Sequence, residues 1–534
     1  MARLLFSWGA WVTTDWAFLI TVSVMALELG GAAAVGLVGA VRVLPSALLS
    51  GVIAGLSDRL PRPVLLAFVH GSWCVIALGM AWIAVAEAPI VVLLIVIGIG
   101  SATSALLKPC QHSLLPQLVH SPSQLIIANS AYATIEGLGT VLGPALCALV
   151  LAGFGPPTVF VVLAAIYAAA AVMSGLIKTP FRPARRITPG AGQAGGRARD
   201  ALEGLRMLSR PGTRTVWVLF MFQTTMRGFL NVFVILLATS GPNGNEARAG
   251  TLFAAIGVGG LVGAVAGLGG GARRSATAGF AFGIGLWGLP ILIIGIWPQP
   301  GIAWVALAVL GLGNALEDIF GFSLFNRLFP DHVAGRAWGT YYSFHAATVA
   351  LGSLAAPLLV AATSLSWAMV ITGAVVMLAP VVLWRSLRAV GAMVSGRSEH
   401  VDLLQSVALF APLSLIAIER LARSAQEGQA EPGTTIVREH DLGAEFYIVA
   451  EGELSVRQGD TEIRRLGPGD SFGEIALLEA SPRTATVLAE QPSRLLTLDS
   501  DSFIAAVTGH RVTDDLARSR VSGYLIDDEA RKGH

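Results

Sequence analysis

Between residues 5 and 388 the chain is divided into twelve apolar runs, each long enough to cross a bilayer. They fall at 5–27, 32–54, 64–86, 89–111, 125–152, 156–178, 214–239, 249–271, 275–297, 301–325, 336–362 and 365–388. A spanning helix takes about 20 apolar residues. The expected fold is therefore an α-helical polytopic membrane protein. Composition agrees: the chain is 54% hydrophobic and 13% charged, where soluble domains average about 25% charged. Mean hydropathy is +0.68.

The runs group as six plus six around a long polar connection, 179–213, in which a Gly-rich linker precedes an amphipathic stretch, RDALEGLRMLSR. Lys and Arg gather at the connections that share one side. Arg3, Arg59, Arg62, Lys108, Lys178, Arg273, Arg274, Arg327, Arg336, Arg385 and Arg388 stand there, and Arg248 alone stands in the opposite loops. Positive charge marks the cytoplasmic side, so both termini are expected in the cytoplasm of a cell that holds the protein in its inner or plasma membrane. The first run contains Asp15, lacks a small-residue cleavage site and is too long for a signal peptide. Cys74, Cys110 and Cys147 lie far apart in apolar runs. They suggest neither a disulfide framework nor a metal site.

After Arg388 the pattern changes. Residues 1–399 carry a balance of +11 and residues 400–534 a balance of −9. An acidic tail argues against nucleic acid as a partner. Short β-rich runs, TTIVRE, EFYIVAEG, ELSVRQ, TEIRRL, TATVLA and RLLTLD, alternate with glycines. They suggest a small α+β barrel or roll, preceded by two short amphipathic helices around Pro412 and closed by a helix at about 511–531. The expected organisation is a first six-helix half at 1–178, a connection at 179–213, a second half at 214–390, a linker at 391–401 and a soluble domain at 402–534.

Charges within a bilayer are costly and are functional candidates. Here they are Asp15, Arg42, Glu136, Arg227, Glu317 and Asp318. A carboxylate that takes up and releases a proton suits coupling, and Asp15 with Glu317 or Asp318 are preferred. Arg42 or Arg227 is the expected counter-charge. Adjacent helical residues point about 100° apart, so Glu317 and Asp318 cannot both face a cavity squarely. Trp11, Trp16, Phe222, Phe229, Asn231 and Asn314 are weaker candidates for its lining.

The tail contains GDSFGEIALLEASPRTATV, Gly469–Val487. Gly473 permits close backbone approach. N–H groups at a helix start attract an anion, and the small Ala476 leaves them open. Arg483 can grip a phosphate bidentately, and ionised Glu474 accepts from a hydroxyl. Thr484 adds a hydroxyl. No Gly-x-x-x-x-Gly-Lys-Ser/Thr pattern of a nucleotide-hydrolysing loop is present.

Two resemblances follow. The loop AGLSDRLPRP, with Asp58, Arg59 and Arg62, and the span-5 segment GLGTVLGPALCAL, with Gly139, Gly143 and Pro144, resemble signatures of the major facilitator superfamily. That resemblance implies twelve transmembrane helices in a 6+6 pseudo-repeat, a charged gating loop on the inner face, and efflux of a small molecule in exchange for H+. Phe472, Gly473, Glu474, Ala476, Leu477, Pro482, Arg483, Ala485 and Val487 resemble the phosphate-binding cassette of cyclic nucleotide-binding domains. It implies a ligand held by Phe472, Gly473, Glu474, Ile475, Ala476, Arg483, Thr484 and Ala485, with Tyr524 and Leu525 as possible caps on the base, and self-association through this domain. Thr484 suits cAMP or cGMP, and cAMP is preferred on prevalence alone. The implied protein is a secondary transporter regulated by a cyclic nucleotide. The alternatives are a non-transporting receptor or scaffold and an exporter of the nucleotide itself. No nucleophile–base pair points to an enzyme, and no metal is expected.

Overall fold

The computed structural model describes residues 1–53, 60–118, 122–177, 206, 213–240, 244–270, 276–329, 331–413, 415–479 and 481–508. Among these, ten helices are long and apolar enough to cross a membrane. The difference from twelve has a local cause. Ala2–Ile53 and Pro122–Gly175 each hold two helices joined at non-helical backbone, at Gly30 and Gly31 (φ 64° at Gly31) and at Gly155 (φ 76°). Each covers two predicted runs. In the first the chain folds back. Asp15 and Arg42 would lie about 40 Å apart on a straight helix, yet their side chains meet at 2.5 Å. A left-handed φ at the reversal favours glycine.

The remaining long helices are Arg62–Ala86, Ile90–Ser104, Thr213–Thr239, Glu246–Gly270, Ala276–Ile296, Pro300–Leu328, Asp331–Ala362 and Leu365–Val382. The outer faces of the long helices carry apolar side chains, with Val85, Leu149, Leu358 and Val382 each more than 70% exposed (73%, 74%, 72% and 78%). Such a surface suits lipid. Inside, Trp11, Phe18, Trp73, Phe160 and Tyr167 interlock edge to face or tilted, with centroids 4.9–6.0 Å apart. Trp11 is thus a packing residue.

The chain divides into two units, Met1–Gly391 and Ala392–His534. The predicted linker at 391–401 is not a loop. A helix, Trp384–Ser406, runs through it. Charged and polar residues there mark an exposed helix as well as they mark a linker. The helix Leu415–Ser424 follows.

The described residues of the second unit include eight strands: β1 Gln426–Ala430, β2 Thr435–Val437, β3 Glu445–Glu451, β4 Leu454–Gln458, β5 Thr461–Leu466, β6 Ser471–Phe472, β7 Thr486–Ala489 and β8 Ser493–Asp499. They make two antiparallel sheets, ordered β1-β8-β3-β6 and β2-β7-β4-β5. Sequence reading found six strands and missed β1 and β6. QEGQA has no β-branched residue, and β6 is two residues long. Val449, Leu454, Leu466, Val487 and Leu495 fill the space between the sheets. Phe410, Phe446 and Phe503 form a second core with the helices, the last two rings stacked at 4.5 Å. The expected helix at 511–531, with Tyr524 and Leu525, lies outside the described residues, as do Asp58, Arg59 and most of 179–213.

Candidate functional site

Strand β6 delivers the chain to Gly473, whose φ of +97° turns it into the helix Glu474–Glu479. A Cβ at this position would lie 2.9 Å from the Glu445 carbonyl oxygen. Ten residues on, Arg483 returns to the same point. Its Nη1 donates to the Gly473 carbonyl oxygen at 3.1 Å and its Nη2 to that of Glu445 at 2.6 Å. The Arg483 backbone is fixed as well. Its N–H donates to the Asp441 carbonyl oxygen at 2.9 Å, and its own carbonyl accepts from His440 N–H at 2.8 Å. The guanidinium lies 5.9 Å from the Tyr447 ring centroid. That ring stacks on Phe472 at 4.9 Å.

Arg483 is 5% exposed and Glu474 4%. Burial draws the Arg483 pKa down, while Tyr447, Glu445 and Glu474 oppose the shift. Arginine still stays charged at physiological pH. The Nε of Arg483 has no hydrogen-bond partner among the described residues. Burial first, then the Glu445 carboxylate, pushes the Tyr447 phenol up to about 12. A fixed cation therefore sits beside a buried carboxylate.

Both open on a cavity of about 260 Å³. All eight cassette residues named from the sequence line it. Its opposite wall comes from the β2-β7-β4-β5 sheet: Val437, Val456, Leu466 and Val487 make it apolar, and Gln458 and Arg464 add polar groups. Ser471 also lines it, with a buried hydroxyl that has no partner among the described residues. Sequence reading missed this wall. Strict alternation would place Arg464 with Glu462, but the register of β5 shifts opposite Val456 and Arg457, so spacing alone gave no signal for Arg464. Arg465 pairs with Glu462 and Glu453, while Ile463 and Arg464 line the cavity. Arg464 is also paired with Asp470 at 3.5 Å.

The helical unit sorts its charges into two groups. Asp15 pairs with Arg42 at 2.5 Å, with side-chain exposures of 32% and 16%. Arg227 donates to Asn314 Oδ1 at 2.5 Å, and Asn314 Nδ2 donates to Asp318 Oδ2 at 3.2 Å. The Arg227 guanidinium lies 5.4 Å from the Trp287 ring centroid. Glu317 is 1% exposed, and neither of its oxygens has a hydrogen-bond partner among the described residues. Arg62 opens the helix Arg62–Ala86 directly after Pro61. Of the proposed lining residues, Asn314 joins the Arg227 network. Trp16 packs near Phe253 at 6.0 Å, and Asn231 is half-buried. Phe222 and Phe229 line an apolar groove with Trp217, Met221 and Val376.

Comparison with known proteins divides at the same place. The Major Facilitator Superfamily matches residues 5–346, and the cyclic nucleotide-binding domain matches residues 427–510. Among similar curated proteins is the cAMP-dependent protein kinase regulatory subunit of Yarrowia lipolytica, 39% identical over 95 residues, 18% of this chain and 25% of that one. The cGMP-dependent protein kinase egl-4 of Caenorhabditis elegans is 35% identical over 145 residues, 25% of this chain and 19% of that one. The chain thus spans a quarter or less of the length of these relatives. A solved structure, the regulatory domain of Toxoplasma gondii PKA with cAMP, is 27% identical, covering 26% of this chain and 56% of that one at a TM-score of 0.24. The chain belongs to the Major Facilitator Superfamily and carries, beyond the superfamily region, a cyclic nucleotide-binding domain.

Proposed function

We propose that this protein is a proton-coupled secondary transporter that exports a small molecule and is regulated by a cyclic nucleotide. The observation that carries the reading is the meeting of Arg483 and Glu474, both buried, at one cavity in a chain whose larger part is a superfamily transporter. Arg483 grips the cyclic phosphate, Glu474 accepts from the ribose 2′-hydroxyl, and the apolar wall takes the base. Transport proceeds by rocking of the two six-span halves. An intramembrane carboxylate among Asp15, Glu317 and Asp318 carries the proton. The nucleotide changes transport by binding one access state better than the other.

Arg464 favours guanine as the base. A guanidinium only donates, and guanine presents two acceptors, O6 and N7, where adenine presents one acceptor beside an amino donor. Among the relatives the cGMP-dependent kinases fit this preference and the cAMP-dependent regulatory subunit does not. It departs from the preference for cAMP drawn from prevalence.

The test uses the purified full chain. Calorimetry with cAMP and cGMP measures binding. Proton flux in proteoliposomes, followed with a pH-sensitive dye across a panel of candidate substrates, measures coupling. Substrate-dependent proton flux that rises or falls on saturating nucleotide supports the reading. Saturated binding with unaltered flux sinks the regulation, and absence of flux with any substrate sinks the transport.

A further inference from the structure

Glu317 and Asp318 are neighbours in sequence but are treated differently by the fold. Asp318 is tied through Asn314 to Arg227. Glu317 is almost fully buried with both oxygens unpartnered among the described residues. Helix Ala276–Ile296 seals it from one side. There Gly283 lies so close that an added Cβ would sit 2.7 Å from the Glu317 nitrogen and 2.9 Å from its Cβ. An ionised carboxylate left unpaired in such a place is strongly disfavoured, and a neutral acid is far less so.

The surroundings supply what the ionised form needs. Phe220 approaches Gly321 and Arg227 bonds Asn314. The two helices therefore run antiparallel, with the turn holding Gln223 level with Glu317 and Asp318. Gln223 is 2% exposed with its Nε2 unpartnered, and the Nε–H of Arg227 is also unpartnered, both among the described residues. Donors are thus in reserve at the level of an acceptor that has none.

The charged and titratable groups around Glu317 come from three elements. Asp318 is on its own helix, Arg227 on Thr213–Thr239, and Tyr341 on Asp331–Ala362, where the His345 ring lies 6.0 Å from that of Tyr341. Helix Ala276–Ile296 contributes Gly283 and, beside Arg227, the Trp287 ring.

We propose that Glu317 is the proton-binding residue and Asp318 the fixed counter-ion, with Arg227 as the switch between them. In this structure Glu317 holds the proton as a neutral acid while Arg227 is engaged toward Asp318. When the proton leaves for water, the new Glu317 carboxylate accepts from the reserve N–H of Arg227. Return of the proton frees Arg227 to Asn314 and Asp318. No other bond changes. This deepens the proton-coupled reading and rests on it for its purpose in transport, although the protonation itself needs no substrate.

The test is pH-difference infrared spectroscopy of the purified full chain without substrate, which reads the carbonyl stretch of a protonated carboxyl. The expected result is a band that Glu317→Gln abolishes, that Asp318→Asn retains, and that Glu317→Asp retains at a shifted frequency. Arg227→Gln is expected to move the loss of the band to higher pH by a unit or more, because the deprotonated form loses its cation. A band that survives Glu317→Gln, or disappears in Asp318→Asn, overturns the assignment. So does an Arg227→Gln titration at the wild-type pH. Should Glu317→Gln fail to fold, the frequency shift in Glu317→Asp decides the same point. Failure of substrate flux with this spectroscopic pattern intact would count against the transport reading alone.

Discussion

The Nη2 of Arg483 lies 2.6 Å from the carbonyl oxygen of Glu445. This bond joins the end of the cassette to the start of β3, 38 residues earlier in the chain. With the Gly473 carbonyl it holds the guanidinium in place before any anion arrives. A pre-positioned cation loses less side-chain entropy when it binds.

Arg483→Ala should therefore weaken cyclic nucleotide binding by about 10- to 100-fold, the range for a hydrogen bond to a charged group. Arg483→Lys should fall nearly as far, since a lysine lacks the planar fork. Calorimetry on the full chain measures both.

Gly473→Ala should destabilise the C-terminal domain by about 1–2 kcal/mol through its left-handed φ alone. The new Cβ would also press on the Glu445 carbonyl. Thermal unfolding should show a lowered midpoint for the domain, and binding should drop with it.

Arg464→Gln should cost cGMP about 5- to 150-fold in affinity, the worth of one good guanine contact. The affinity for cAMP should change by less than about twofold on the same argument. Equal losses for both nucleotides would remove Arg464 from base recognition.

Asp15 and Arg42 should couple by about 0.5–3 kcal/mol in a double-mutant cycle. Asp15→Asn leaves a mostly buried guanidinium without its carboxylate, and Arg42→Gln on the same background should recover part of the loss. Thermal unfolding in detergent gives the cycle.

Asp499 caps the helix Ser500–Thr508, accepting from Ser502 N–H and from the Ser502 hydroxyl at 2.8 Å each. Those bonds, the backbone one first, hold its carboxyl below the usual range. A depressed carboxylate stabilises fully above its unfolded pKa of about 3.9, and the gain is lost as pH falls through the folded value. Asp499→Ala should cost about 0.5–1 kcal/mol at pH 7, at the low end because the side chain is solvated. Denaturation curves of variant and wild type should converge below about pH 4.

The cassette was legible because its chemistry is local. Gly473, Glu474 and Ala476 lie within one turn, and Arg483 is ten residues away in a recognisable pattern. The far wall was not legible in the same way. Val437, Val456 and Leu466 read as ordinary strand residues until two sheets face each other. The apolar runs were legible one by one. The breaks between them at Gly31 and Gly155 were not, because any glycine permits a left-handed φ and only packing decides which one adopts it. The helix through 391–401 was hidden for a related reason: solvated helices and linkers share a composition.

By itself the sequence showed apolar runs long enough to enter a membrane and a tail motif whose residues line one cavity. Those properties follow from composition over about 20 residues or from motifs a turn or two long. Only the tertiary structure decided partnership. It paired Asp15 with Arg42, tied Asp318 to Arg227 through Asn314, and gave the Glu317 carboxyl no hydrogen-bond partner among the described residues. Whether a buried carboxylate has a cation or none depends on helices that meet in space, and neither the spacing nor the identity of Glu317 and Asp318 records that meeting.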